Sequence, residues 1–336
     1  ANAMGAGTTI VREQVEALPT IRRSIEDFVR LDSRIVQVDE DRGGIAAAGQ
    51  NNRYNNIRID GVPTNDNFGL NDSGLPSLNQ PISIDWIEEF NVGISDYDAT
   101  QTDFVGANIN AVSKSGGNEF AGRVYYVFRN DDMIGDEVNG VEVRKPLTDE
   151  STMGAYFGGP LIKDRLFFFA GYEKFEREIA GVDNGIAGSG ALNQFRITQA
   201  EIDRLRAAST RYGAADVGSF DPVTSFTNED EKWFAKLDFN ISDSQRATLR
   251  YNKTTGSDLQ AIPGATQIRA SSNHWANDIT FESWAALLYS DWTDVFSTEA
   301  NISYSSYDSL PTAFSNFQLA TVNFATGSPT GGFASV

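Results

Sequence analysis

Cysteine is absent from this 336-residue chain, and histidine occurs once, at His274. Without cysteine there is no disulfide framework, no thiolate nucleophile and no thiolate metal site. A single histidine excludes His-based triads and multi-His zinc sites. Basic residues are also scarce: 27 Lys and Arg stand against 46 Asp and Glu, for a net charge of −19. Phosphate binding draws on clustered cations that release counterions, so no nucleic-acid partner is expected. The acidic surface reads first as a source of solubility and self-repulsion. No stretch reaches the ~18 apolar residues of a helical membrane span; the richest, residues 161–172, is broken by Lys163, Asp164 and Arg165. Residues 1–9 carry neither the basic start nor the apolar stretch of a signal peptide. Gly5-Ala6-Gly7 lacks the Lys-Ser/Thr that would make a phosphate loop.

What the chain has in quantity is aromatic residues and glycine: 22 Phe, 11 Tyr and 30 Gly, a mix that suits β-structure with many turns. Two grammars follow one another along it. Residues 8–118 mix short helices and short strands in a compact α+β unit of ordinary domain size. Thr20 is placed to cap a helix over 21–31, whose Ile21, Ile25, Phe28 and Val29 fall at helical spacing. Residues 45–49 and 56–60 read as a hairpin across a polar turn, 84–89 as a helical turn before a strand over 90–94, and 109–113 as a last short strand.

From Glu119 onward the pattern is alternating. Val124, Tyr126 and Phe128 share one face against Arg123 and Arg129. Trp233, Ala235, Leu237, Phe239 and Ile241 oppose Lys232, Lys236, Asp238 and Asn240. Residues 246–253 and 298–308 repeat the period, which marks an antiparallel sheet with one wet side. Residues 166–177 and 281–292 are strands with apolar residues on both faces. Connections alternate between long, polar ones (130–151, 179–231, 256–280) and short ones at 163–165, 242–245 and 293–297. That asymmetry of the two rims belongs to transmembrane β-barrels. Within the longest connection, Thr198 is placed to cap a helix over 199–209.

Several motifs then carry a resemblance. Ile87-Glu88-Glu89-Phe90-Asn91-Val92, followed by the run from Gly106 through Asn110 and Lys114 to Gly116, is similar to the end of the plug of TonB-dependent outer-membrane receptors. Arg58-Ile59-Asp60-Gly61-Val62 resembles the middle strand and turn of that plug, and Leu18-Pro19-Thr20 with Ser24-Ile25-Glu26-Asp27-Phe28 its opening helices. Residues 48–55, Phe68-Gly69-Leu70-Asn71, and Gly158-Gly159-Pro160 through Phe169 resemble the Oar-like (OmpA-related) subfamily. The resemblance implies an N-terminal remnant over 1–7, a plug over 8–118, and over 119–336 the first ~7 strands of an outer-membrane barrel with 22 strands in the parent. It implies a Gram-negative outer membrane, no enzymatic activity, and ligand uptake driven by the TonB complex. The plug signature is then Asp60, Gly61, Glu88, Gly106, Asn110, Lys114 and Gly116.

The chain departs from siderophore receptors, which carry Ile-Arg-Gly where it has Ala47-Ala48-Gly49. That departure counts against a ferric siderophore, and the Oar-like resemblance implies a peptide, protein or other large ligand in its place. No coupling box precedes the plug, and a seven-strand sheet leaves two unpaired edges, so the barrel is expected to be cut short. The alternative reading is a non-transporting surface interaction or adhesion protein on the same β-scaffold.

The resemblance places Asn65, Asp66, Asn67, Phe68, Leu70, Asn71 and Asp72 at the plug apex as ligand contacts; the plainer reading is a solvated Asn/Asp/Gly turn. Asp131, Asp132, Asp136 and Glu137 suit Ca²⁺ by charge but not by spacing, so no cofactor or metal is expected. Arg123, Arg129, Lys236 and Arg250 stand on lumen-side positions, from which they can pair with an acidic plug or be wetted. His274, beside Trp275, falls in a long connection. No motif singles out two carboxylates for glycan chemistry.

Overall fold

The computed structural model describes residues 7–18, 20, 23–39, 43–66, 73–77, 79–94, 106–142, 145, 147–181, 183–213, 218–221, 225–260, 267–313, 324–325 and 333–335. The N-terminal unit has five strands in one sheet: β1 (Gly7–Val11), β4 (Asn56–Ile59), β5 (Val62–Pro63), β6 (Ile87–Gly93) and β7 (Asn108–Ser113). Their spatial order is β1-β6-β7-β4-β5, with β4 parallel to β7 and the other pairs antiparallel. The strands β2 (Ile35–Asp39) and β3 (Gly44–Ala47) pair with each other beside it. Two short helices, α1 (Arg12–Ala17) and α2 (Ile25–Val29), complete the unit. Its core collects Ile25, Phe28, Ile59, Trp86, Phe90 and Ile109.

Two expectations are corrected here. Residues 45–49 do not form a hairpin with 56–60: β3 takes β2 as its partner, and β4 is claimed by the signature strand β7. The local turn signal loses to a parallel pairing across some fifty residues, in which every residue of β4 is buried. The helix expected over 21–31 is described only as α2, with Ser24 at its N-cap. Thr20 instead accepts from the Arg23 N–H (2.6 Å) and donates to Asp27 (2.7 Å), so it organises the approach to the helix rather than its first turn.

Seven long strands follow: β8 (Ala121–Asn130), β9 (Leu147–Ile162), β10 (Leu166–Ala180), β11 (Ser225–Ser242), β12 (Gln245–Gln260), β13 (Trp275–Thr293) and β14 (Phe296–Ala313). Each pairs antiparallel with the next, giving an open sheet with β8 and β14 as its edges. β11, for example, runs in continuous register against β10 from Leu166↔Phe239 to Ala180↔Ser225. Strands of 15 to 19 residues exceed the ~9–11 that cross a bilayer, so one end projects beyond the apolar zone. The joins expected over 179–231 and 256–280 are correspondingly shorter, because polar residues on both faces hide the alternation while the backbone ladder continues. Between β10 and β11 lies α3 (Gln199–Arg211), capped reciprocally by Thr198 and Glu201 as the spacing predicts. Its Ile202 packs with Phe195, Ile197, Phe220 and Ile268 in a small core of its own.

The sheet is apolar on the outside and polar within. Val124 is 81% exposed and Ile302 77%, with Trp233, Leu249, Trp284 and Tyr304 on the same outer face. On the inner face Arg250 and Asn252 are 0% exposed, beside Lys232, Lys236, Thr254 and Ser283. Outer-face aromatics pair across strands, Tyr172 with Trp233 (4.5 Å) and Tyr251 with Trp284 (4.4 Å), while Phe120 stacks on Phe157 (5.6 Å) nearer the short turns. A water-soluble sheet buries its apolar face; this one shows it, as a lipid-facing wall does.

One buried carboxylate fastens β1 to the N-terminal unit. Asp32 accepts from the Arg34 guanidinium (2.8 and 2.5 Å) and from the Thr8 hydroxyl (2.8 Å), and Arg34 holds its carboxyl well below the usual aspartate range. A depressed carboxyl stabilises the fold above the unfolded value of ~3.9, and that contribution is lost as pH falls through the folded value. Once divided by the intrinsic amide rate at each pH, the protection of β1 against deuterium exchange is expected to fall more between pH 6 and pH 2 in the native protein than in Asp32→Asn. Equal pH sensitivity in the two would remove this role.

Candidate functional site

The inner face of the sheet wraps the N-terminal unit, and the junction is the candidate site. Its apolar part is small: Trp86 stands against Phe234 (5.9 Å) within a cluster that includes Phe169. β10 admits Trp86 at Gly171, where a Cβ would come within 2.5 Å of the indole. A second apolar contact joins Val62 to Ala285 and Leu287.

The polar part is larger and has three centres. In the first, Lys232 bridges Glu173 (2.9 Å) and Asp230 (2.7 Å), all three almost fully buried. Glu173 also accepts from Ser83 (2.5 Å) and Tyr125 (2.7 Å), and Asp230 from Asn79 (2.5 Å), which ties Ser83 and Asn79 of the N-terminal unit to β8, β10 and β11. In the second, Asp60 faces Arg250 (3.4 Å) and Lys236 (3.8 Å), while Arg250 donates to the Ile59 carbonyl and Lys236 to Ser113 Oγ (3.1 Å). In the third, Asp85 pairs with Arg23 of its own unit and Arg123 of β8 (3.3 Å). Asn252 and Thr254 both donate to the Pro81 carbonyl (3.0 and 2.9 Å). Of the four inner-face cations, for which the sequence leaves pairing with an acidic partner and simple wetting both open, Arg123, Lys236 and Arg250 pair across the junction, and Arg129 pairs with Glu150 of β9 (3.0 Å).

The signature residues fall at this junction and at the strand pairings beneath it. Asp60 takes the left-handed conformation (φ 48°) and accepts from the Ser113 N–H (2.8 Å) and hydroxyl (2.7 Å). Gly61 follows at φ 79°, its N–H held by the Asn110 side chain (2.8 Å). Gly106 passes so close to Asn55 that a Cβ would lie 2.3 Å from its Oδ1. Lys114 sits over the Tyr156 ring (5.0 Å), where burial lowers its pKa. Glu88, exposed on β6, stands 3.7 Å from Arg12. Gly116 threads between β9 and β10, where a Cβ would approach the Phe168 carbonyl to 2.2 Å. Gly116→Ala is expected to cost about 1–3 kcal/mol through overpacking against backbone. A lowered thermal midpoint of the purified protein would show it, whereas Gly117→Ala, which meets open space, serves as the neutral control.

Among the expected apex residues, Asn65 accepts from the Ile57 N–H (2.8 Å) and donates to Asn56 (3.2 Å), and the backbone N–H of buried Asp66 bonds Gly74 (2.9 Å). Asn67, Phe68, Leu70, Asn71 and Asp72 lie outside the described residues, as do residues 1–6. Asp131, Asp132, Asp136 and Glu137 are exposed; among the described residues no cluster of three or more acidic or histidine ligands is positioned for a metal. His274 precedes β13, which starts at the half-exposed Trp275. Lys232, Glu173, Asp230 and Asn79 were not singled out as a site from sequence: they are far apart in the chain, and only the register of β10 on β11 sets Glu173 opposite Lys232.

Comparison with known proteins fits this geometry. Residues 112–187 match an outer membrane beta barrel domain family. Over 139 residues the chain is 32% identical to the TonB-dependent transporter Oar of Myxococcus xanthus, which covers 39% of this chain and 12% of that protein. Among solved structures, the siderophore receptor PirA of Acinetobacter baumannii superposes with a TM-score of 0.60 at 19% identity, over 91% of this chain and 40% of its own. The outer membrane transporter YddB of Escherichia coli gives 0.61 at 14% identity, over 89% and 38%. The chain thus spans about an eighth of the curated relative and about two-fifths of the solved structures. These relatives are transporters and receptors, not enzymes. By sequence and by fold the chain is related to the TonB-dependent outer-membrane receptors and transporters, and its location is the outer membrane.

Proposed function

We propose that the N-terminal unit is the plug and the seven strands are the first part of the barrel wall of a ligand-uptake receptor, whose plug rearranges when the TonB complex pulls on it. The parent barrel has 22 strands in this reading, and the long joins face outward from the cell. The observation that carries the proposal is the make-up of the plug–wall junction. Ion pairs and hydrogen bonds dominate it, and even buried Arg250 leaves Nε and Nη2 without partners among the described residues. A permanent interface would be apolar and fully satisfied; a polar one can exchange its bonds for water as the plug shifts. The ligand in this reading is a peptide, protein or other large polar molecule, received over residues 65–72.

The test uses cells making the full-length protein that contains this chain. Uptake of its ligand, or killing by an agent that enters through it, is expected to stop when the TonB complex is deleted. Wild-type levels of entry in the deletion strain would refute energy-coupled transport, and no entry in either strain would favour the adhesion reading.

A further inference from the structure

A cavity of about 100 Å³ lies in the plug–wall junction, with Glu26, Gln80 and Ser24 on its plug side and Glu173, Arg177 and Lys232 on the wall. Phe175 and Arg177 of β10 also line it, some ten residues from the short turn that starts that strand. At about 3.3 Å per residue this puts the cavity roughly 30 Å up the wall, on the side of the long joins. Ser73, the first described residue after Asp66, is part of its edge.

Glu26 is the unusual member. Its side chain is buried (1% exposed), no cation pairs with it among the described residues, and burial pushes its carboxyl up from the ordinary glutamate value. Gln80 Nε2 donates to Glu26 Oε2 (2.9 Å). The ionised form of Glu26, which a bound cation favours, takes N–H and repels C=O, and so keeps the amide this way round. The other amide atom, Gln80 Oε1, is then an acceptor, buried and with no hydrogen-bond partner among the described residues. The Ser24 hydroxyl lies near enough to ease the charge on Glu26 but makes no hydrogen bond of good geometry. A carboxyl, an amide oxygen and a hydroxyl thus converge, and what eases the carboxyl's charge is neutral: the Gln80 amide, its own backbone N–H and the nearby Ser24.

The cations across the cavity do not supply the missing charge. Lys232 is engaged by both Glu173 and Asp230, Arg177 stands 3.4 Å from Glu150, and Arg23 is bound to Asp85. The Lys232 centre has two carboxyls to one ammonium, so it adds negative rather than positive potential. A left-handed turn at Gly43 (φ 71°) closes over the carboxyl, where a Cβ would approach Glu26 Oε1 to 3.2 Å. The space left suits a compact, donor-rich cation and excludes a bulky one.

We infer that this cavity is an ammonium-recognising subsite, in which Glu26 and Gln80 Oε1 receive a protonated primary amine of the ligand, either a lysine side chain or a peptide amino terminus. Resting on the uptake reading, this names the chemistry of its ligand. Three N–H donors match a carboxylate oxygen, an amide oxygen and a hydroxyl. Plug movement would carry Glu26 and Gln80 away from the wall side of the cavity and so open the bound amine to water.

The test is calorimetric titration of the purified full-length receptor at pH 7.5 with three peptides. Acetyl-Gly-Lys-Gly-amide carries only a side-chain ammonium, Gly-Gly-Gly-amide only a terminal one, and acetyl-Gly-Gly-Gly-amide neither. At least one of the first two is expected to bind ten-fold or more tightly than the third, and which one binds identifies the source of the amine. Glu26→Gln, isosteric and checked for folding by heat-modifiable gel mobility, is expected to remove at least ten-fold of that affinity and leave the third peptide unchanged. Gln80→Leu gives the same loss through the second acceptor. Equal binding of all three peptides, no binding by any, unchanged affinity in both variants, or displacement of the amine by sodium or calcium at equal charge overturns the subsite. Uptake that continues without the TonB complex refutes the transport reading and leaves the amine result standing.

Discussion

Lys232→Met is expected to lower the stability of the folded protein by about 3–5 kcal/mol, because it removes the single cation from between two buried carboxyls. A buried ion pair adds little net stability over an apolar replacement of the whole group, but removing one partner strands the other in a medium that cannot solvate it. Here two are stranded at once. Asp230 is 1% exposed and Glu173 5%, and both are also tied to the N-terminal unit, through Asn79 and through Ser83. The loss should therefore appear as release of that unit before the long-stranded sheet unfolds. In a urea titration that reads Trp86 in its Phe234 contact separately from the outer-face tryptophans, the Trp86 transition is expected to move to lower denaturant first. Lys174→Met is the comparison: Lys174 also bonds a glutamate, Glu176 (2.6 Å), yet this pair is exposed to solvent, which screens it and leaves it little effect on stability. If the two variants lose equal stability, the buried centre does not hold the plug. Lys232→Met combined with Asp230→Asn is expected to recover part of the loss, since one stranded charge is then gone.

How far the sequence discloses this arrangement depends on the range over which each interaction acts. Period-2 alternation is local, so Trp233, Leu237 and Phe239 reveal the outer face and Lys232 and Lys236 the inner one. The same rule fails where both faces are wet. Residues 225–231 and 254–260 continue β11 and β12 without any alternation to mark them, and only the ladder shows it. β9 is similarly hidden by Gly154, Gly158, Gly159 and Pro160. Two of these glycines are there for neighbouring rings: a Cβ on Gly154 would strike Tyr125, and one on Gly159 would strike Phe120. The capping box of α3 is legible because its partners are three residues apart. The pairing of β3 is not, because the choice between β2 and β4 is made by β7, some fifty residues downstream. The signature motif announces Asp60 and Lys114, but their partners in the wall, at Arg250 and Tyr156, follow from the docking of two units and have no sequence spacing to betray them.

Asp60→Asn tests that docking at its other end, with an expected loss of about 3–5 kcal/mol. Asparagine keeps the left-handed backbone that Asp60 adopts at φ 48°, and its carbonyl still accepts from the Ser113 N–H, so the turn itself survives. What disappears is the charge that faces Arg250 and Lys236, which are 0% and 7% exposed. Lys236 retains Ser113 Oγ and carbonyl as acceptors, whereas Arg250 keeps only the Ile59 carbonyl, with Nε and Nη2 already unpartnered. The penalty thus concentrates on the guanidinium. Arg250→Met in the same background is expected to restore most of the stability, since it takes away the stranded charge and leaves a side chain of similar length. A double-mutant cycle should then give a coupling of about 1–3 kcal/mol between Asp60 and Arg250, against additivity for Asp60 and the remote Arg129, which is held by Glu150. Because Ile59 and Asp60 lie at the end of β4 that meets β12, the single variant frees that edge of the N-terminal unit from the sheet. In cells making the full-length protein, Asp60→Asn should admit a large polar antibiotic that the intact outer membrane excludes, and Asp60→Asn/Arg250→Met should exclude it again. Unchanged antibiotic sensitivity together with zero coupling would show that the plug is held elsewhere.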